Sequence, residues 1–228
     1  MSVSSRWYVT VVVAAASVVI ALWPGAASLL EFDRTAVAAG EGWRVFSGHV
    51  THFGLEHLMW DASVFVVLGV MCERRSRIAT LVCLGIAMPL ISAAVWLLLP
   101  EMASYRGLSG LDTALFALLG VMMLTENLRA GRRGWVAVIF LLLLAMVAKI
   151  SWEFLTGGTI FVDSSSGQFL PVPLAHLVGA GIGLLVAGTG SALAARRACR
   201  STARTNFIHR ATRGPSDSAI PPQHHFAA

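Results

Sequence analysis

Six long apolar stretches constrain this chain more than any other feature of its sequence. Each approaches the ~20 residues that a helix needs to cross a lipid bilayer. Charged residues make up 13% of the 228 residues, against roughly 25% in soluble domains. We therefore predict an all-α membrane protein with six transmembrane helices and the lipid bilayer as its solvent. The stretches lie at 7–23, 54–71, 78–99, 108–125, 134–155 and 172–195.

The distribution of basic residues predicts the orientation of these helices. Sixteen of the seventeen basic residues are arginines, and the net charge is +5. They cluster after the second, fourth and sixth stretches, a pattern that indicates topology and no nucleic-acid partner. Because cytoplasmic loops are enriched in arginine and lysine, both termini are predicted to be cytoplasmic, and residues 24–53, 100–107 and 156–171 to face the outside.

Two segments of different composition are expected. Residues 1–200 form one six-helix membrane domain, and residues 201–228, which are polar and contain proline and histidine, form a disordered cytoplasmic tail. The first apolar stretch lacks a clear cleavage site, so we predict a retained helix rather than a removed signal peptide. Cys72, Cys83 and Cys199 have no metal-ligand spacing and are interpreted as reduced and structural.

Six ionisable side chains lie inside the predicted spans, where a charge in hydrocarbon costs at least a few kcal/mol. Each is a functional-site hypothesis by default. The predicted topology places all of them at a similar depth, just below the outer surface. Six unrelated core residues would have no reason to share a depth, so we predict a single water-accessible cavity. The residues are His57, Asp61, Asp112, Lys149, Glu153 and His176.

A serine flanked by glycines opens the fourth span. Gly107 and Gly110 flank Ser109 within the sequence GLSG. A serine at a helix N-terminus lies among unpaired N–H donors and at the positive end of the helix dipole, where an oxyanion is stabilised. The position therefore suits a nucleophile.

A GxxxG pair in the sixth span predicts which helices touch. Gly179 and Gly183 have the spacing that lets helix backbones approach closely, and His176 begins the same span. If the fourth and sixth spans pack there, the Ser109 hydroxyl and the His176 ring come within hydrogen-bond reach. A nucleophile and a base are the two parts that acyl transfer needs.

Four motifs together resemble those of the rhomboid intramembrane serine proteases. Each is weak alone, whereas their order, spacing and placement in these spans are characteristic. The resemblance covers residues 43–190, and the stretches HLMWDASVF and YRGLSGLDTALFALLG resemble the rhombosortase-like bacterial branch. The motifs are Trp43-Arg44 in the first outer loop, His52-Phe53-x-x-x-His57-Leu58 opening the second span, Gly107-x-Ser109-Gly110 opening the fourth, and His176-x-x-Gly179-x-x-x-Gly183 opening the sixth.

The resemblance implies the six-helix rhomboid fold and a catalytic Ser–His dyad. Ser109 would be the nucleophile and His176 the general base, and no third catalytic residue is evident in the sequence. It also implies an oxyanion site made by the Ser109 backbone N–H, the His57 side chain and the side chain four residues later, here Asp61. No metal or other cofactor is implied.

The resemblance also implies a substrate and a compartment. The substrate would be a transmembrane or C-terminally anchored protein, cut near the outer face of a bacterial inner membrane. For the rhombosortase-like branch, that substrate would carry a C-terminal sorting segment with a glycine-rich motif, one apolar helix and basic residues. Cleavage would remove the apolar helix.

Two positions depart from the family pattern. Most rhomboids have asparagine where Asp61 stands, and an ionised carboxylate there would repel an oxyanion. Either Asp61 is protonated, which desolvation would favour, or it orients His57 and does not touch the substrate. In some rhomboids an aromatic residue stacks on the catalytic histidine, but Thr113 stands at that position, so something else must hold His176.

Other roles are open for the same residues. Ser109 suits a helix N-cap, and His57 and His176 suit hydrogen bonds between helices. Lys149 and Glu153, four residues apart, suit a structural ion pair. An alternative is a Ser109–Lys149 dyad with the lysine kept neutral by burial.

Two further functions are open for the whole chain. A catalytically inactive rhomboid-like scaffold would bind transmembrane clients without cutting them, and the departures at Asp61 and Thr113 suit it. A small transporter would have a polar site at the bilayer midplane, but no helix breaks are evident there. Asp112, one turn below Ser109, is interpreted as structural.

Overall fold

A computed structural model describes residues 7–158 and 172–190, and the described residues up to Thr189 belong to one compact unit. The predicted tail at 201–228 lies outside the described residues, as does Cys199. The described chain is mostly helical, with one 3-10 turn (Gly48–Val50) and two short strands, β1 (Phe32–Asp33) and β2 (Ser104–Tyr105). The helices are α1 (Tyr8–Leu22), α2 (Ala26–Leu30), α3 (Arg34–Ala38), α4 (Arg44–Ser47), α5 (Leu55–Leu98), α6 (Ser109–Arg129), α7 (Arg133–Thr156) and α8 (Pro173–Gly190).

Among the described residues, four helices are long and apolar enough to cross a membrane, namely α5, α6, α7 and α8. Helix α1 is apolar but has 15 residues, fewer than the ~20 of a typical span. Helix α5 has 44 residues and includes both the second and the third predicted spans. The chain thus has the predicted all-α membrane fold, and the count of six spans stays a prediction.

A kink at Ser76 divides α5 into two helical halves, 55–75 and 77–98. The backbone of Ser76 leaves helical geometry, with φ −157° and ψ 97°. Its Oγ accepts a hydrogen bond of 3.2 Å from the backbone N–H of Ala79, as an N-cap side chain does for a new helix. The break therefore lies between the second and third predicted spans, within the arginine-rich connection.

Helix α6 is the central helix of the described part. Leu111, Leu115 and Leu118 are fully buried within it, and α6 packs against both α5 and α7. Because a helix surrounded by neighbours has no access to water along its length, polar groups on it need a partner or a cavity. The polar groups of its first turn meet this condition at one end of the bundle.

Helix α7 turns most of its apolar side chains outward. Only 11% of its most apolar window is buried, and large side chains such as Phe140 and Leu144 are exposed. An exposed apolar surface of this kind suits contact with lipid. The few buried residues of α7, among them Ile150 and Glu153, mark its inward face.

Helix α1 is held to α5 by polar groups. Oε1 of Glu73 accepts hydrogen bonds from the backbone N–H of Thr10 at 2.6 Å and from its Oγ1 at 2.5 Å. A Cβ added to Gly69, one turn earlier on α5, would lie 2.7 Å from Cγ2 of Thr10. A small residue and a buried carboxylate therefore position α1 beside α5.

The segment between α1 and α5 is fastened to the turn before α6. Strands β1 and β2 pair antiparallel, with Phe32 opposite Tyr105. Arg44 is 6% exposed, and its Nη1 donates to the carbonyls of Ser28 at 3.0 Å and Glu31 at 2.9 Å. The Arg44 bonds satisfy loop carbonyls inside the protein, and the strand pairing joins this segment to the residues that lead into Ser109.

Candidate active site

Ser109 is the first residue of α6, and its side chain is half-buried. The first four N–H groups of a helix have no intrahelical partner, so the Ser109 N–H lies at the positive end of the helix dipole. The Ser109 carbonyl accepts a hydrogen bond of 2.9 Å from Oγ1 of Thr113. A hydroxyl beside backbone donors is an arrangement that can stabilise an oxyanion.

Gly107 shapes the turn that leads into Ser109. Its φ of +122° lies where residues with a side chain rarely go. A Cβ added there would lie 3.0 Å from Cε1 of His57 and 3.1 Å from Oδ2 of Asp61. The Gly107 N–H also donates to the carbonyl of Gly48 at 3.3 Å. Glycine thus lets the turn pass directly against the His57 ring.

Asp61 lies in a buried cluster with two histidines. Its Oδ2 is 3.1 Å from Nε2 of His57 and 3.5 Å from Nε2 of His52. The same oxygen accepts a hydrogen bond of 3.0 Å from the backbone N–H of Leu108. No sequence pattern predicted this bond. Asp61 therefore ties α5 to the residue before Ser109.

A carboxylate from α7 contacts the ring of His176 in the first turn of α8. Oε2 of Glu153 is 2.6 Å from Nδ1 of His176, and Oε1 accepts a hydrogen bond of 2.6 Å from Nζ of Lys149. Glu153 is 1% exposed and His176 5% exposed. The sequence left the support of His176 open and showed no third residue. The sequence signal that could have identified Glu153 was an acidic residue near the end of an otherwise apolar helix.

Small residues let α8 pack closely against α6. A Cβ added to Gly179 would overlap the carbonyl oxygen of Gly110, and one added to Gly183 would overlap the α6 backbone a turn later. A Cβ added to Gly110 would lie 3.3 Å from the carbonyl oxygen of Ala175, which precedes His176. This contact brings the N-terminal ends of α6 and α8 together.

The polar residues that were predicted from the sequence to share a common depth line one cavity of about 730 Å³. Its walls are otherwise largely apolar. Ser109 and His176 both line it, and no hydrogen bond joins these two residues, both of which the structure describes. In free enzymes such bonds are often long and tighten when substrate binds. The predicted polar residues that line it are His57, Asp61, Ser109, Asp112, Lys149, Glu153 and His176.

Lys149 and Asp112 both border the cavity, but they differ in whether their polar atoms have partners among the described residues. The Lys149 ammonium is engaged by Glu153, an arrangement that favours the ion pair over a neutral lysine acting on Ser109. Asp112 is buried, and its Oδ1 has no hydrogen-bond partner among the residues that the structure describes. Its carboxyl group adds to the polar part of the cavity wall.

The fold and the cavity define an integral membrane protein of packed apolar helices with polar, titratable side chains gathered in one cavity. A family model for the rhomboid domain matches residues 39–192, more than half of the chain. The chain belongs to the rhomboid family, as its motifs predicted. Members of this family are generally serine proteases that act on membrane proteins within the bilayer. No curated protein matches the chain significantly.

Proposed function

We propose that the chain is a serine endopeptidase that cleaves membrane-anchored proteins, with Ser109 as nucleophile and His176 as general base. The observation that carries the proposal is that both residues line one cavity at the helix ends where α6 meets α8. A hydroxyl at a helix N-terminus and an imidazole on a neighbouring helix supply the two groups that acyl transfer requires.

The proposed reaction proceeds through an acyl-enzyme. The Ser109 oxygen attacks the peptide carbonyl carbon while its proton passes to Nε2 of His176, and the carbonyl electrons move onto oxygen. When the tetrahedral intermediate collapses, the C–N bond breaks and His176 protonates the leaving amine. Water, with His176 again as base, then hydrolyses the ester.

The Ser109 N–H and the His57 side chain are proposed as the oxyanion donors. Loss of one such donor in other enzymes costs roughly 10²–10³ in rate. Asp61 is proposed to orient His57 and the turn before the serine, because its Oδ2 already accepts the Leu108 N–H. This supports the second of the two roles considered for Asp61.

The proposed topology has both termini in the cytoplasm of a bacterial cell and the active site near the outer face of its inner membrane. The arginine distribution supports this orientation. Ser109 and His176 lie in the first turns of α6 and α8, and Glu153 lies in the last turn of α7. All three residues therefore belong to the same end of the helix bundle.

A C-terminal sorting segment is the substrate that we propose, following the resemblance to the rhombosortase-like branch. The apolar cavity wall supports an apolar substrate segment, since Trp60, Phe116 and Met146 line it. Coexpression with a membrane protein carrying a glycine-rich motif, one apolar helix and a basic end tests this. We expect cleavage by the wild type and none by Ser109→Ala, and an uncut substrate with the wild type would contradict this specificity.

Active-site labelling tests the catalytic part of the proposal. The full chain in detergent is treated with a fluorescent fluorophosphonate, which reacts with activated serines. We expect labelling of the wild type and none of Ser109→Ala or His176→Ala. The matched control is Ser151→Ala, because Ser151 is exposed on α7 and its hydroxyl donates to the carbonyl of Val147 in its own helix.

Each result of the labelling decides the proposal. Labelling that persists in Ser109→Ala would place the reactive serine elsewhere. A folded wild-type protein that never labels and cuts no substrate would instead favour the inactive scaffold. Loss of labelling in the Ser151→Ala control would show that the labelling assay reports on folding and not on the loss of a particular catalytic residue.

A further inference from the structure

Glu153 lies in a position that is costly for a carboxylate. It is 1% exposed, on a helix whose other side chains largely face outward and are apolar. An ionised carboxylate in such surroundings is strongly unfavourable unless it is paired. A group kept there against that cost is a candidate for a role in the site.

Both oxygens of Glu153 are occupied, each by a different partner. Oε1 accepts from Nζ of Lys149 at 2.6 Å, and Oε2 lies 2.6 Å from Nδ1 of His176. Lys149 is one turn earlier on the same helix, so it reaches the carboxylate from the same face. The ammonium balances the carboxylate charge, and the carboxylate in this state is an acceptor only.

An acceptor at Nδ1 determines which nitrogen of His176 carries the proton. Nδ1 must donate to Oε2, so the neutral ring keeps its proton at Nδ1 and its lone pair at Nε2. The residue four after the serine is Thr113, which has no ring to hold the imidazole. Its hydroxyl donates instead to the carbonyl of Ser109. The Glu153 carboxylate therefore orients the His176 ring, a role that packing alone would otherwise have to fill.

We propose that Glu153 is a positioning residue, so that the site is a Ser109–His176–Glu153 triad with Lys149 holding the carboxylate. This rests on the proposed function of Ser109 and His176. When the Ser109 proton arrives at Nε2, the ring becomes an imidazolium whose Nδ1–H stays bonded to Glu153. The negative charge of Glu153 stabilises that cation, and the Nε2 proton then leaves with the amine.

The test measures the rate of labelling by a fluorescent fluorophosphonate on the full chain in detergent, resolved into the maximal inactivation rate and the probe affinity. The glutamine amide carries no charge and has one oxygen and one NH₂ group. If its oxygen faces Nδ1, the imidazolium loses the stabilising carboxylate charge, and if its NH₂ group faces Nδ1, His176 is held in the wrong tautomer. We expect Glu153→Gln to lower the maximal rate by about 10²–10⁴-fold with unchanged probe affinity.

Two companion variants separate positioning from folding. Glu153→Asp restores a carboxylate on a shorter stem, and we expect it to label roughly tenfold faster than Glu153→Gln. Ser151→Ala, two residues away on the exposed face of α7, should label at the wild-type rate. Melting temperatures of all variants show whether each is folded. If Glu153→Gln is unfolded, a folded Glu153→Asp that labels more slowly than the wild type supports the triad, and one that labels at the wild-type rate overturns it.

The outcomes distinguish this proposal from the function on which it rests. Wild-type labelling that depends on Ser109, together with a folded Glu153→Gln that labels at the wild-type rate, overturns the triad alone. Absence of any labelling that depends on Ser109 overturns the proposed function itself. If Lys149→Met abolishes labelling while Glu153→Gln does not, the lysine is the base and the triad is wrong.

Discussion

The carboxylate of Asp61 accepts a hydrogen bond of 3.0 Å from the backbone N–H of Leu108, the residue before the proposed nucleophile. The same oxygen lies 3.1 Å from Nε2 of His57. One side chain on α5 thus holds both the turn that presents Ser109 and a proposed oxyanion donor.

We expect Asp61→Asn to retain partial proteolytic activity and Asp61→Ala to lose nearly all of it. The asparagine oxygen can still accept the Leu108 N–H, whereas alanine leaves that buried N–H unpaired at a cost of about 1–3 kcal/mol. Cleavage assays and melting temperatures would measure both effects, with exposed Glu56→Gln as the control. A folded but inactive Asp61→Asn would show that the carboxylate charge itself is needed.

The contact between α6 and α8 predicts a sharp difference between two glycines of one helix. Gly179→Ala would drive a methyl group into the Gly110 carbonyl, whereas nothing lies within 4 Å of a Cβ at Gly181. We expect Gly179→Ala to destabilise the protein by about 1–3 kcal/mol or more and to reduce activity, since the helix ends that carry Ser109 and His176 would separate. Gly181→Ala should do neither.

Thermal unfolding in detergent and the labelling rate would be compared for these two variants. Equal melting temperatures for Gly179→Ala and Gly181→Ala would contradict the close approach of the two helices.

Substitution of Gly107 should affect activity more than its backbone conformation alone explains. Gly107 and Gly40 both have positive φ, +122° and +105°, but only at Gly107 would a Cβ meet neighbours, the nearest being Cε1 of His57 at 3.0 Å. We expect both alanine variants to lose about 1 kcal/mol or more of stability from strain and only Gly107→Ala to lose activity. Similar activity losses in both variants would show that the loss comes from reduced stability and not from contact with His57.

His49 predicts a pH dependence of stability outside the active site. Its Nε2 lies 2.9 Å from the carbonyl oxygen of Met88, and burial lowers the pKa of His49 from 6.5 to about 4. The unfolded chain therefore takes up this proton first as the pH falls, so stability decreases between pH 6.5 and pH 4 and is unaffected above pH 6.5. The decrease is at most ~3 kcal/mol.

Melting temperatures at pH 7.5, 6 and 5 should show this slope for the wild type and a shallower one for His49→Gln. An identical slope in the two proteins would mean that His49 stays unprotonated in both states or titrates equally in both.

Local patterns made several features of this protein predictable. Hydropathy predicted the apolar segments, because the ability of a helix to lie in lipid depends on its own side chains over about 20 residues. The arginine-rich connection coincided with the break at Ser76. Lys149 and Glu153 were foreseen as a pair, since residues four apart share a helix face. The motifs around Ser109 and His176 identified the family.

Sequence alone therefore determined the membrane class, the family and the residues worth testing, since each depends on neighbours in the chain or on a short motif. Only the tertiary structure decided that Glu153 meets His176 and that Asp61 meets Leu108. Those partners come from different helices, and their separation depends on how the helices pack. A shift of an ångström or two breaks a hydrogen bond without changing hydropathy, and no linear pattern records such a distance.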